Sequence, residues 1–264
     1  MEPLIGRNYY LEICANSVES ALAAQEGGAS RIELCQQLEV GGVTPSAGQI
    51  VLARELLTIG VHVLIRPRAG DFCYSEIEFE EIRKDVEFCR SVGCDGVVIG
   101  VLLPDGRVDE DRTRMLVELA GPMTVTFHRA FDRSKEPFEA LETIINAGCH
   151  RLLTSGQQDN AIEGVGLIKE LVEKAGRRLE IMPGSGVTED NIVEILRISG
   201  ARSIHSSAKV DVQKEDAQKM DTPKEDSQVV GGLIPTGPAG WIPTWVSSKE
   251  KVRTMADLMK SLSS

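Results

Sequence analysis

Short apolar runs alternate with segments of helical periodicity eight times along this chain. Strands that alternate with helices at this spacing indicate βαβ units and a parallel sheet. Eight such units predict an α/β fold, a (β/α)8 TIM barrel, with an open doubly wound sheet as the alternative. The predicted strands are Tyr10–Cys14, Arg31–Cys35, Val61–Arg66, Gly96–Val101, Thr124–His128, Arg151–Ser155, Leu179–Pro183 and Ser203–Ser206.

The segments between the strands carry helix start and stop signals. Ser75 and Glu78 have the spacing of a capping box, directly ahead of an apolar stripe. Glycine in the left-handed conformation commonly ends helices, and glycines follow several periodic segments within a residue or two. These glycines are Gly27, Gly93, Gly148 and Gly200.

The alternation stops after the eighth strand. Lys209–Gln228 is polar and charged, and Val229–Ser247 is rich in glycine and proline. The polar stretch cannot bury a core, so we expect a flexible segment over residues 209–248. Helical spacing then returns and predicts a last helix that packs on the barrel, within one domain over residues 9–264. Its apolar positions are Val252, Met255, Met259 and Leu262.

Composition and charge exclude several classes of partner. Only 4% of the 264 residues are aromatic, so the core must consist mainly of aliphatic side chains, which suits buried parallel strands. A net charge of -11 argues against nucleic acid and anionic membrane surfaces, which both attract basic patches. No apolar run approaches the roughly 20 residues that span a bilayer, and residues 1–8 lack a signal-peptide pattern. We expect a cytoplasmic protein, and presence in the nucleus is compatible with these features.

The first two predicted strands end in the same Glu-x-Cys pattern. Side chains alternate between the faces of a strand, so Glu12 and Cys14 share one face, as do Glu33 and Cys35. The aliphatic residues between them belong under the helices, which turns both pairs toward the barrel axis. Neighbouring strands lie about 5 Å apart, so we expect the two cysteines to meet at the rim, with each glutamate one layer deeper.

Two adjacent thiols suit a soft metal ion. Thiolates select Cu(I), zinc or iron–sulfur clusters, and two of them are too few for a cluster and poor for structural zinc. Cu(I) is the best match, which makes Cys14 and Cys35 candidate metal ligands. The alternative is that both are small buried apolar residues, the commonest role of cysteine.

Other polar residues end strands at the same rim. Arg66 ends the third strand and His128 the fifth, and polar residues at this end of a barrel are often functional. His128 is a candidate general base or metal ligand. The alternative is a structural histidine that is hydrogen-bonded to Glu12 or Glu33.

The loops after strands seven and eight form the usual phosphate site of this barrel. Gly184 and Gly186 would let backbone N–H groups approach an anion, and Ser206 and its neighbour add hydroxyls. Arg66 would add a positive charge, unless it pairs with Glu33. These residues predict an anion site, and glycine turns without a ligand are the alternative.

Seven stretches of this chain together form a specific pattern. They are Leu11–Cys14, Gly28–Cys35, Gly41–Ser46, Ile65–Phe72, Thr126–Asp132, Leu153–Gly156 and Met182–Gly186. In this order they resemble the copper homeostasis protein CutC family over about residues 9–209. The resemblance implies a cytoplasmic TIM barrel, a homo-oligomer (dimer or tetramer), and a copper ion as partner. It also implies that Cys14 and Cys35 are ligands of Cu(I).

The chain departs from the family pattern at the eighth strand. Animal members often have His-Cys-Ser-Ala-Arg where this chain has His205-Ser-Ser-Ala-Lys209. The change removes one thiol from the rim, and the chain after Lys209 matches no family pattern.

Two functions remain open from the residues. The rim thiols favour a copper-binding protein of intracellular copper homeostasis. The carboxylates favour an enzyme that acts on a small phosphorylated or carboxylated metabolite, with Glu12, Glu33 and His128 as catalytic groups. Its anion would be bound by Arg66, Gly184, Gly186 and Ser206. A scaffold with a vestigial site is a third class.

Overall fold

Eight parallel strands form a nearly closed barrel in the computed structural model, which describes residues 8–211 and 245–263. The order around the barrel is β7-β6-β5-β4-β3-β2-β1-β8, and β7 lies beside β8. The predicted TIM barrel and the order of its strands are therefore confirmed. The strands are β1 Tyr10–Ala15, β2 Arg31–Leu34, β3 Gly60–Leu64, β4 Gly96–Ile99, β5 Thr124–Phe127, β6 Arg151–Thr154, β7 Glu180–Pro183 and β8 Ser203–Ser206.

Helices cover the outside of the barrel. They are α1 Val18–Gly27, α2 Ala47–Leu56, α3 Glu76–Val92, α4 Glu110–Ala120, α5 Pro137–Asn146, α6 Val165–Ala175, α7 Ile192–Ser199 and α8 Lys249–Ser263. Short 3-10 helices span Leu38–Val40 and Arg129–Arg133. In the described ranges, no helix has both the length and the apolar character needed to cross a membrane.

The predicted helix signals act as expected, with one exception. Ser75 and Glu78 form a reciprocal capping box at the start of α3, and Gly93 ends that helix in the left-handed conformation. At α1 the left-handed cap is Gly28, whereas Gly27 is still helical. A side chain at Gly27 would put its Cβ 2.6 Å from Cβ of Val252, so this glycine allows α8 to pack closely on α1.

The last helix packs on the barrel as predicted. Val252, Met255, Met259 and Leu262 are all buried in the main core. This core lies between the barrel and its helices, and it also contains the outward-facing residues of the strands, such as Ile13 and Ile32.

The segment that we expected to be flexible begins and ends with ordered structure. β9, Lys209–Asp211, pairs antiparallel with β10, Trp245–Ser247. The backbone N–H of Ser247 donates a hydrogen bond to Oγ of Ser20, and the side-chain amide of Asn16 donates one to the carbonyl of Trp245. Residues 212–244 lie outside the described residues, so flexibility there stays a prediction.

The inside of the barrel contains charged layers. Glu12, Arg31, His62 and Arg151 are all buried there. Arg151 donates hydrogen bonds to Thr126 (3.1 Å) and to Glu180 (3.0 Å). Buried charges are tolerated when they are paired and hydrogen-bonded, and this network meets that condition.

Candidate functional site

The two predicted metal ligands are in contact. Sγ of Cys14 lies 3.5 Å from Sγ of Cys35, and both side chains are buried. Leu64 and Val98 pack around them and form an apolar wall. Cys14 lines the cavity at the barrel mouth, whereas Cys35 is fully buried behind it. The structure therefore brings the predicted thiol pair together, with one member facing the cavity.

The stagger between β1 and β2 places the inward-facing residues in layers that differ from those we predicted. The Cα partner of Cys14 on β2 is Glu33, and the partner of Glu12 is Arg31. Glu12 does lie one layer deeper than the thiols, as expected, but Glu33 lies level with Cys14. Strands in a barrel are tilted and staggered, so equivalent positions on neighbouring strands do not share a layer.

Glu12 is the centre of the buried charge network. One carboxylate oxygen accepts a hydrogen bond from Nε of Arg31 at 2.6 Å, and the other lies 2.9 Å from Nδ1 of His205. His62 and Arg151 lie further out, at 3.8 and 4.0 Å. Burial would raise the pKa of Glu12, but the Arg31 charge and the hydrogen bond to His205 hold that pKa well below its usual range. Glu12 is therefore ionised, and each of its carboxylate oxygens has a partner, Arg31 or His205.

His205 connects Glu12 to Glu33. Its Nδ1 faces Glu12, and its Nε2 lies 3.5 Å from a carboxylate oxygen of Glu33. Burial would lower the pKa of His205, but the hydrogen bonds to Cys14 and Glu12 and the charge of Glu33 raise that pKa well above its usual value. Burial raises the pKa of Glu33, and the charge of His205 offsets only part of this effect.

His205 was not among the site residues that we predicted from sequence. Alternation along β8 contains the signal: Ile204 belongs to the outer core, so its neighbour His205 must face the barrel axis. The structural role that we considered for His128, a histidine satisfied by Glu12 and Glu33, belongs to His205.

A cavity of about 480 Å³ opens at the C-terminal ends of the strands. This volume is typical of sites for small molecules. Six of the lining residues carry the chemistry of the site: Cys14, Glu33, Arg66, His128, His205 and Ser206. The cavity thus joins the thiol, the carboxylate and the basic groups that the sequence placed on separate strands.

Arg66 holds loops and faces the cavity. Its two terminal nitrogens donate to the backbone carbonyls of Val40, Gly42 and Gly70 at 2.8 to 3.2 Å. In residues 8–211 and 245–263, Arg66 forms no ion pair with a carboxylate and its Nε has no hydrogen-bond partner. The pairing with Glu33 that we considered is therefore not formed. Its guanidinium lies 4.9 Å from the ring centre of Phe72.

His128 is a neutral ring in the cavity wall. Its Nδ1 accepts a hydrogen bond from the backbone N–H of Ala130 at 3.1 Å, which leaves the proton on Nε2. Burial, helped by the charge of Arg66, lowers its pKa to about 3. Among the described residues, Nε2 has no partner. This nitrogen is buried, so the ring is part of the cavity wall and is poorly suited to act as a general base near neutral pH.

The glycine loop after β7 is built mainly by packing. The N–H of Gly184 donates to the carbonyl of Thr154 at 2.9 Å, and a Cβ at Gly184 would lie 2.5 Å from Cδ1 of Leu153. Gly186 has a left-handed backbone (φ +66°) and lines the cavity. Ser206 also lines it, but its hydroxyl already donates to the carbonyl of Val187 at 2.7 Å. Of the four predicted anion-binding residues, Arg66, Gly186 and Ser206 line the cavity, whereas Gly184 packs against Leu153 and is not part of the lining.

Comparisons with known proteins agree with the pattern of motifs. The model of the CutC family matches residues 9–210, which include all eight barrel strands. The CutC family protein of Chromobacterium violaceum is 56% identical over 199 residues, 75% of this chain and 81% of that protein. The one from Parabacteroides distasonis is 45% identical over 227 residues, which cover 86% and 93%.

A solved structure shows the same likeness. The crystal structure of CutC from Streptococcus agalactiae, whose name links it to copper homeostasis, matches with a TM-score of 0.72 at 32% identity. The match covers 75% of this chain and 98% of that one. The resemblance seen in the sequence is confirmed, and this chain belongs to the CutC family.

Proposed function

We propose that this protein binds Cu(I) in copper homeostasis, with the thiolates of Cys14 and Cys35 as its ligands. The observation that carries the proposal is the 3.5 Å contact between the two sulfur atoms, of which that of Cys14 belongs to a residue that lines the cavity. Soft thiolate ligands select Cu(I), and an apolar wall of Leu64 and Val98 suits a soft, weakly hydrated ion. The name of the Streptococcus agalactiae relative supports the same role. The cytoplasmic location and the homo-oligomer stay predictions.

Proton release should accompany copper binding. The contact with Cys35, followed by burial, raises the pKa of Cys14 well above its usual value, so this thiol is protonated when no metal is bound. Metal ions bind the thiolate, which requires the proton to leave. The affinity for Cu(I) should therefore increase with pH.

Anaerobic competition with a Cu(I) chelator tests the site directly. We expect one Cu(I) per chain, and each of Cys14→Ser and Cys35→Ser should weaken binding by more than the roughly 10–100-fold that loss of an outer-shell partner costs. Cys73→Ser is the matched control, because Cys73 lies in a partly exposed loop away from the pair. If the double Cys14→Ser, Cys35→Ser variant binds Cu(I) as tightly as the parent, the proposal is wrong.

The charged side of the same cavity favours a second candidate, acid–base chemistry on a small phosphorylated or carboxylated metabolite. The specific observation is the chain Glu12–His205–Glu33, whose last two members reach the cavity. In this function Glu33 and His205 would exchange protons with the substrate, and Glu12 would orient His205. His128 would form part of the cavity wall, and Arg66 would attract the anionic group.

Calorimetric titration tests the second candidate. Phosphate, simple sugar phosphates and small carboxylates should include at least one ligand that binds below millimolar concentration. Arg66→Met keeps the aliphatic stem and removes the charge. This variant should bind that ligand with about 10-fold lower affinity, equivalent to about 1.4 kcal/mol. Arg83→Met is the control and should leave binding unchanged, because Arg83 lies on α3 away from the cavity and pairs with Glu80. No binding by any of these anions, or an unaltered affinity of Arg66→Met, would remove the support for this function.

A further inference from the structure

Three different ligand-type atoms converge at the cavity floor. They belong to Cys14 on β1, Glu33 on β2 and His205 on β8, and all lie within 4.8 Å of one another. The three residues are at most 8% exposed, and all three line the cavity. They sit on three adjacent strands of the barrel, which is a rigid support for a metal site.

The histidine of this group has the outer partner that metal-binding histidines usually have. Nδ1 of His205 faces the carboxylate of Glu12 at 2.9 Å, and Glu12 is held in turn by Arg31 at 2.6 Å. A carboxylate on one ring nitrogen fixes the ring and makes the other nitrogen a better ligand. That other nitrogen, Nε2, points toward Glu33 at 3.5 Å.

The donor set of these residues suits zinc better than Cu(I). Zinc accepts cysteine sulfur, histidine nitrogen and carboxylate oxygen together, whereas Cu(I) prefers sulfur alone. One thiolate and one carboxylate also balance the double charge of Zn²⁺, which matters in a buried place. Three protein ligands and an open fourth position are typical of zinc sites that act on a substrate.

We propose that Cys14, Glu33 and His205 form a zinc site whose fourth position opens into the cavity. Cys35 takes no part in it, because this residue is fully buried and lies outside the group of three. The site is independent of the copper proposal, although both need Cys14, so one chain holds either ion but not both.

Zinc titration of the reduced full-length chain, in competition with a chromogenic chelator, tests the site. The parent should bind one Zn²⁺ per chain. Glu33→Gln and His205→Gln should each weaken zinc binding by more than about 100-fold. Mutation of a residue that only supports a ligand already lowers metal affinity by about 10–100-fold. Cys73→Ser, in a partly exposed loop away from these residues, is the matched control and should stay within about 3-fold of the parent. Replacing Zn²⁺ by Co²⁺ should give the absorption of one thiolate ligand in the parent and none in Cys14→Ser.

Two variants with opposite expected effects on Cu(I) and Zn²⁺ binding separate this site from the copper site. Cys35→Ser should lose Cu(I) and keep Zn²⁺, and Glu33→Gln should keep Cu(I) and lose Zn²⁺. If His205→Gln does not fold, Glu33→Gln still decides, because zinc should raise the melting temperature of the parent but not of this isosteric variant. The zinc proposal is overturned if the parent binds no Zn²⁺ at one per chain. It is also overturned if Glu33→Gln binds Zn²⁺ like the parent, or if Cys35→Ser loses as much affinity as Glu33→Gln.

Discussion

Replacement of Glu12 by glutamine is expected to lower the free energy of unfolding by about 3–5 kcal/mol. The side chain is 0% exposed and its carboxylate contacts Arg31 and His205 directly. Glutamine preserves the shape but not the charge, so Arg31 would remain buried without its hydrogen-bonded counter-charge and a protonated His205 would keep only Glu33. Breaking a buried pair from one side is costly because the remaining ion cannot return to water.

Chemical denaturation of matched variants measures this effect. Glu118→Gln makes the same change of charge on the exposed face of α4 and should alter the free energy of unfolding by no more than about 0.5 kcal/mol. A Glu12→Gln protein as stable as the control would show that the network does not depend on the charge of Glu12. Far-UV circular dichroism of both variants would show whether the barrel itself is retained.

Stability is expected to fall steeply as the pH decreases from about 6 to 4.5. Burial lowers the pKa of His62 to about 4 and that of His128 to about 3. An unfolded histidine has a pKa near 6.5, so below that pH the unfolded chain binds two protons that the folded chain does not. Each extra proton contributes up to about 1.4 kcal/mol per pH unit, so these two contribute up to about 2.7.

Other groups of the network change this slope in known directions. His205 has a raised pKa, so its contribution is complete below pH 6.5 and is lost only as the pH rises through its folded value. Glu33 also has a raised pKa and takes up a proton in the folded state, which offsets part of the loss above pH 4.5. The lowered pKa of Glu12 adds a further loss only when the pH falls below 4.5. We therefore expect a net slope between about 1.4 and 2.7 kcal/mol per pH unit.

A series of urea denaturation curves between pH 4.5 and 7 measures the slope. His128→Gln should reduce it by about 1.4 kcal/mol per pH unit, because the variant has one fewer buried neutral histidine. A parent protein with equal stability at pH 4.5 and 6.5 would contradict the assignment of neutral rings to His62 and His128.

The sequence alone was enough for the fold and for the thiol pair. The eight apolar runs, the capping box at Ser75 and the stripe of Val252, Met255 and Met259 depend on local periodicity, which one stretch of chain shows by itself. The Glu-x-Cys repeats placed Cys14 and Cys35 on one face by simple alternation, and the structure has them 3.5 Å apart.

Tertiary structure decided which groups act together. The stagger of β1 and β2 sets Glu33 level with Cys14, and barrel closure brings His205, about 190 residues away in the chain, to within 2.9 Å of Glu12. The loops on either side of β3 give Arg66 backbone carbonyls as partners, and His128 pairs with the backbone of Ala130 instead of the carboxylate that we considered. Periodicity reports the face on which a side chain lies, whereas register, tilt and closure depend on every strand at once. The pairing of charges across the barrel could therefore be seen only in the folded chain.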